Sequence, residues 1–337
     1  MSAPAWLQPQ LRALLQQRGH AVLLSGPPGL GQYELALELA RGWLCEQPTA
    51  DGACGTCTAC HAVDVRTHPD LFVLLPETLA LEFGWPLDEK TQDKIDRKEV
   101  KPSRFIRVDA ARQAVAFSQT TRSRGHTKVI LIYPAECLNV ESANTLLKTL
   151  EEPAGSLRFV LATEAAHALL PTIRSRCQTH ALSWPDTEVA RQWLTAQLEA
   201  RGGARADAGD AADTWLRAAG GRPQEALEWA ELLPSAKVWG QLPKAIAKGD
   251  FSPMIDWPAP RQMDALQKLC HDLMVTSAGG QPRFFQTQDL PTPPALARLS
   301  QWQRELQAAA RTMEHPFNAG LMQEAWALNA RQALALH

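Results

Sequence analysis

The chain has 337 residues, 45% of them hydrophobic, with 7 cysteines and a formal net charge of −2. That length accommodates two or three domains with cores of their own, and the near-neutral charge excludes a protein drawn to nucleic acid by its overall field. The opening MSAPAWLQPQLRALLQQ lacks a basic stretch followed by an apolar one, and nowhere do 18 apolar residues run together, so no membrane segment is expected and the cytoplasm is the expected compartment.

Trp6, Leu7, Leu11, Leu14 and Leu15 stand at near-helical spacing. The short apolar run Ala21 to Leu24 then ends in Ser25-Gly26-Pro27-Pro28-Gly29, as expected of a strand buried on both faces, and a helix is predicted from Glu34 to Leu44. DLFVLL at 70–75, VILIY at 129–133 and RFVLAT at 158–163 read as further strands of the same sheet. Between them lie the helical patterns VDAARQAVAFSQ (108–119) and ESANTLLKTLEE (141–152). In the second, Ala143, Leu146, Leu147 and Leu150 share one face and Pro153 stops the helix. Strands alternating with helices predict an α/β domain with a mostly parallel sheet.

Past Trp184 no strand is predicted. TEVARQWLTAQLEARG, DAADTWLRAAGG and PQEALEWAELL read as three amphipathic helices; longer helical stretches follow, MDALQKLCHDLMVTSA, PALARLSQWQRELQAAARTM and FNAGLMQEAWALNARQALAL. The expected domains are 1–184 (α/β), 185–243 (three helices) and 244–337 (all helical), with Leu266, Leu269 and Leu273 in a core.

Charge is unevenly placed. Residues 77–96 carry six acids and two bases, and 97–128 nine bases and two acids. A solvated helix face or a modest basic surface for a phosphate backbone or an acidic partner would each account for this.

Cys45, Cys54, Cys57 and Cys60 fall within sixteen residues at spacing C-x8-C-x2-C-x2-C. Thiolates bind zinc tetrahedrally, and small residues between them (Gly55, Thr56, Thr58, Ala59) let several sulfurs converge. Four ligands with no vacancy point to a structural Zn2+ site. A pair of disulfides, a redox dithiol or a ligand role for His61 are the alternatives; Cys137, Cys177 and Cys270 are isolated and read as small apolar core residues.

GPPGLGQY at 26–33 has the frame of a phosphate-binding loop. A working loop ends in Lys, which neutralises phosphate charge, and Ser or Thr, which holds Mg²⁺. Gly26, Gly29 and Gly31 keep the turn, but Gln32 and Tyr33 stand at those two positions. The strand 129–132 is followed by Tyr133-Pro134-Ala135-Glu136, with no acid where a second metal ligand is needed. Three losses in one site argue against ATP hydrolysis here. One phosphate-directed element survives: Arg176 in Ser175-Arg176-Cys177, a forked, always-charged donor suited to reaching a neighbour's γ-phosphate.

The loop, the run KVILIYPAECLNVESANTLLKTLEEPAGSLRFVLATEAAHALLPTIRSRC and the cysteine cluster together resemble bacterial clamp-loader subunits of the AAA+ class. The resemblance covers at least residues 10–230, and HPFNAGLMQEAW resembles the C-terminal helical domain of the δ′ branch. It implies an AAA+ type parallel sheet with helices and an embedded zinc module (45–60), a small helical lid and an all-α collar. It further implies zinc ligation by Cys45, Cys54, Cys57 and Cys60, and an arginine, here Arg176, that completes the ATP site of an adjacent γ/τ subunit. The family's lid arginine is replaced by Gln224, with Arg222 two residues earlier, and the segment 78–103 lies outside the family pattern.

The implied function is that of a stator in the DNA polymerase III clamp loader, without catalysis of its own. With γ/τ and δ it would form a heteropentamer that opens the β sliding clamp and places it on primed DNA. Two rival readings are a self-sufficient AAA+ motor, and a zinc-bearing module that contacts DNA through the basic stretch around Arg122, Arg124 and Lys128.

Overall fold

The computed structural model describes residues 4–123, 125–201, 205–233, 235–313 and 318–335. Arg124 and residues 315–317 of the HPFNAGLMQEAW motif lie outside the described residues. The chain divides into two compact units, 1–186 and 187–337.

The first unit carries five strands: β1 (Ala21–Ser25), β2 (Leu71–Leu74), β3 (Lys128–Ile132), β4 (Leu157–Thr163) and β5 (Gln178–Ala181). They form one sheet in the order β2-β3-β4-β1-β5, every pairing parallel. Its helices are α1 (Gln8–Leu15), α2 (Gln32–Leu44), α3 (Thr58–Asp64), α4 (Glu77–Glu82), α5 (Glu89–Asp96), α6 (Val108–Gln119), α7 (Val140–Glu151) and α8 (Pro171–Arg174). Side chains alternate along a strand, so Ala21 and Leu23, Ile130 and Ile132, and Phe159 and Leu161 share one face; α6 and α7 cover it with Ala111, Ala114, Ala143, Leu146 and Leu150. Helix α2 lies against β3 and β4, burying Leu35 and Leu39.

The predicted strands and helices of this sheet are present, and β5 is an addition. Its residues, QTHA, are mostly exposed at the sheet edge, so they form no apolar run to announce a strand. One charged residue is also not where the sequence suggested. Lys128 is buried, and its Nζ donates to the carbonyls of Phe117 (2.5 Å) and Thr120 (3.1 Å) at the end of α6 while lying 3.9 Å from the Phe117 ring centre. Carbonyls at a helix C-terminus lack the i+4 N–H partners of the helix interior, so Lys128 caps a helix and does not contribute to a basic surface. Arg122 likewise donates to the His126 carbonyl at 2.8 Å.

The second unit is helical: α9 (Thr187–Ala200), α10 (Arg205–Ala218), α11 (Pro223–Leu232), α12 (Ala236–Ala247), α13 (Ala259–Ser277), α14 (Leu296–Thr312) and α15 (Ala319–Leu334). A continuous apolar core runs from Ala190 to Leu334 and includes Leu266, Leu269 and Leu273. Trp239 stacks on Phe285 with centroids 4.7 Å apart and meets Trp229 at 4.9 Å. Helix α12 passes through the 243/244 position expected as a boundary, with Pro243 inside it and Trp239, Leu242 and Ile246 buried. No helix among the described residues is long and apolar enough to cross a membrane.

Candidate functional site

The C-terminal ends of parallel strands are where an open α/β sheet binds ligands. Here β1 runs into the loop 26–31, β3 into Tyr133 and β4 into Thr163-Glu164. Gly29 and Gly31 adopt φ of 83° and 96°, a region that glycine enters freely. The loop therefore turns as expected and delivers Gln32 to the start of α2.

Gln32 does not point outward. Its side chain is 2% exposed, and Nε2 donates to the carbonyls of Gly26 (2.8 Å) and Pro27 (2.6 Å). The Trp6 indole donates to the Leu30 carbonyl at 2.9 Å. Both amide hydrogens of Gln32 are thus spent inside the loop, where a lysine would reach out to phosphate.

The two metal-holding positions are closed by aromatic rings. The sequence holds two tyrosines, Tyr33 and Tyr133, and the fold brings their rings to 5.4 Å between centroids. Phe83 stacks on Tyr33 at 4.4 Å, and the Trp85 indole donates to the Tyr33 hydroxyl at 2.6 Å. Burial pushes the phenols of Tyr33 and Tyr133 above their ordinary range, so both remain neutral. The Tyr133 hydroxyl donates to Glu164 Oε1 at 2.7 Å. Glu136, the nearest acid after β3, accepts from the Thr163 hydroxyl at 2.7 Å and the Glu164 backbone N–H at 3.0 Å.

Phe83 and Trp85 come from the segment 78–103, which the sequence left without a role. Its base is tied by Glu77, which accepts from the Ser103 backbone N–H at 2.8 Å and pairs with Arg107 at 3.2 Å. Asp88 caps α5 by accepting from Thr91 N–H at 3.1 Å. The segment thus presents an aromatic pair to Tyr33. Phe83-Gly84-Trp85 is visible in the sequence, but its partners lie about 50 residues away on one side and about 50 on the other, a distance no local pattern spans.

The cysteine cluster forms between α2 and α3. Cys45 caps the C-terminus of α2, Cys57 caps the N-terminus of α3 by accepting from Cys60 N–H, and Cys60 lies within α3. The Sγ atoms are 3.8 Å apart for Cys45 and Cys57, 4.0 Å for Cys54 and Cys60, and 3.7 Å for Cys45 and Cys60, all four lying within 4.8 Å of one another. Bonds of 2.3 Å to a tetrahedral zinc place sulfurs about 3.8 Å apart, so the four fit one such ion; they are far beyond disulfide length, and all seven cysteines are free. Backbone N–H groups of Cys54 and Gln47 point at Cys45 Sγ, at 3.2 and 3.4 Å. Donors of Thr56 and Cys57 pull the Cys54 thiol down to about 6, whereas burial pushes Cys60 up to about 12. His61 is outside the four-sulfur group. Cys270 is buried in the second unit, and burial also raises Cys177 to about 12, as for inert core thiols.

Arg176 lies between α8 and β5, about a quarter exposed. Its Nε donates to Glu151 Oε1 at 2.6 Å, Nη2 contacts the same oxygen, and Nη1 donates to the Thr172 carbonyl at 2.7 Å. Nη1 also donates to the Ser175 hydroxyl oxygen at 3.4 Å, so the guanidinium is anchored by the end of α7 and by α8, with one Nη2 N–H remaining for a further acceptor.

Residues 7–185 match the protein family described as DNA polymerase III, delta subunit. DNA polymerase III subunit delta′ of Escherichia coli (strain K12) is 31% identical over 284 residues, 78% of this chain and 76% of that one. The subunit of the same name from Pseudomonas aeruginosa is 41% identical over 182 residues, 54% of this chain and 48% of that one, so the match spans about half the length of that relative. A DNA polymerase III gamma subunit-related protein from Thermotoga maritima shares the fold, with a TM-score of 0.51 over 98% of this chain and 100% of that chain at 16% identity. The sheet, the strand-end loop and the helical second unit form a fold of the AAA+ type. Within that class, the chain belongs to the DNA polymerase III delta-prime subunit family.

Proposed function

We propose that this chain is the stator of a DNA polymerase III clamp loader, a subunit that keeps the AAA+ fold, neither binds nor hydrolyses ATP, and supplies Arg176 to a neighbour's ATP site. The observation that carries this reading is the pairing of a phosphate loop closed by its own Gln32 with an arginine held near the surface by Glu151. Tyr33 and Tyr133 support it, since neutral phenols packed ring to ring supply no Mg²⁺ ligand at the two positions where one is required. In the assembly, Arg176 stabilises the charge that develops on the γ-phosphate of ATP held by an adjacent γ/τ subunit, while that subunit provides the lysine and metal ligands. Cys45, Cys54, Cys57 and Cys60 hold one Zn2+, which serves structure because all four positions are filled by protein.

The partners are γ/τ and δ subunits in a heteropentamer, and through it the β sliding clamp and primed DNA. The second unit supplies a lid and a collar. The burial of Lys128 weighs against a DNA-binding module centred on that basic stretch. Co-purification with τ and δ subunits followed by sizing tests the assignment. A stable complex containing all three is expected; a chain that remains alone, or that binds primed DNA alone with the steep salt dependence of phosphate contacts, would refute it.

A further inference from the structure

The cysteine cluster is built on two helices that another contact joins. Arg41 stands four residues before Cys45 on α2, and Asp64 four residues after Cys60 on α3. Residues four apart are neighbours on a helix face, so the link between Arg41 and Asp64 runs beside the Cys45–Cys60 pair. Arg41 Nη2 lies 2.9 Å from Asp64 Oδ2, and Nη1 lies 3.4 Å from Glu38 Oε1 on its own helix. The Arg41 side chain is 10% exposed. Its guanidinium also lies under the turn between the ligands: a Cβ on Gly55 would come within 3.8 Å of Nη2.

Helix α3 has seven residues, too few to hold a helical conformation or a position without tertiary support. It nevertheless brings two of the four sulfurs. We propose that Arg41 and Asp64 are positioning residues of the metal centre, a clamp buried at its Arg41 end that fixes α3 against α2 so that Cys57 and Cys60 converge on Cys45 and Cys54 before an ion arrives. The proposal rests on the reading of the four cysteines as a metal site. Without the clamp, ordering α3 becomes part of the metal-binding step, so affinity falls and release quickens. The guanidinium acts in the same direction electrostatically, because loading four thiolates leaves the cluster net negative.

The test is zinc release from the full-length protein into excess chromophoric chelator, for wild type, Arg41→Met, Asp64→Asn and Arg12→Met. Arg12 pairs with Asp51 in the same cysteine segment, but that pair is 55% and 65% exposed, and exposed pairs hold little. Release about tenfold faster than wild type is expected for Arg41→Met and Asp64→Asn, with Arg12→Met unchanged. Asp64 is partly exposed and its replacement nearly isosteric, so Asp64→Asn carries the test if Arg41→Met does not fold. Zinc uptake with unchanged release in Asp64→Asn overturns the clamp and leaves the metal reading standing. Wild-type protein that takes up no zinc overturns both.

Discussion

In a reconstituted clamp loader, Arg176→Ala is expected to lower DNA-stimulated ATP turnover at the one site this subunit serves by about a thousandfold, the low end of what such arginines contribute. Total turnover then falls by at least that site's share. Folding and assembly are expected to survive, because the side chain's contacts within the chain are an ion pair with partly exposed Glu151 and bonds to the Thr172 carbonyl and the Ser175 hydroxyl, and exposed pairs of that kind contribute about 0–1 kcal/mol. The measurement is steady-state ATPase of the purified complex with wild-type and variant subunits, at matched composition. Equal turnover would remove Arg176 from the chemistry even if the complex is otherwise as described.

The second large effect is expected from Cys60→Ser. Cys60 is fully buried and lies 3.7 Å from Cys45 Sγ, so under the proposed zinc site its loss removes one of four ligands and leaves a hydroxyl where a thiolate is required. Structural zinc contributes on the order of 10 kcal/mol of binding free energy to the fold it closes. Zinc content near zero and a lower melting temperature are expected, with the segment around 45–64 the first to exchange its amide hydrogens. The pH dependence has a definite sign. Burial favours the protonated Cys60 thiol, so the ion must displace that proton, and affinity falls as the pH falls. Elemental analysis and chelator competition at two pH values check both statements.

What the sequence made legible was what local chemistry determines. The apolar runs at 21–24 and 129–132 became the buried strands β1 and β3, and the 143/146/150 face of α7 packs on the sheet as its spacing predicted. The cysteine spacing was enough to expect four convergent sulfurs. Three features escaped. Strand β5 is an exposed edge whose residues look like a loop. The 243/244 position, expected between two domains, lies within α12, where burial of Trp239, Leu242 and Ile246 carries the helix through Pro243, an instance of packing overriding local preference. Lys128 reads as surface charge, yet its amine reaches the carbonyls closing α6.

The loop itself shows the difference between a missing group and a replaced one. From sequence, Gln32 and Tyr33 are absences: no lysine, no hydroxyl for Mg²⁺. In the fold they are contacts. Gln32 bonds the carbonyls of Gly26 and Pro27, and Tyr33 joins Tyr133, Phe83 and Trp85 in one aromatic cluster. Each such aromatic pair contributes about 0.5–1.5 kcal/mol beyond its buried area. Restoring a lysine at position 32 therefore leaves the aromatic cluster in place.

Equilibrium dialysis of the isolated chain against ATP and Mg²⁺ tests the central claim most directly. The closed loop requires that no saturable binding be seen at millimolar nucleotide. One equivalent of ATP bound in the micromolar range, lost in Gln32→Ala, would contradict the account.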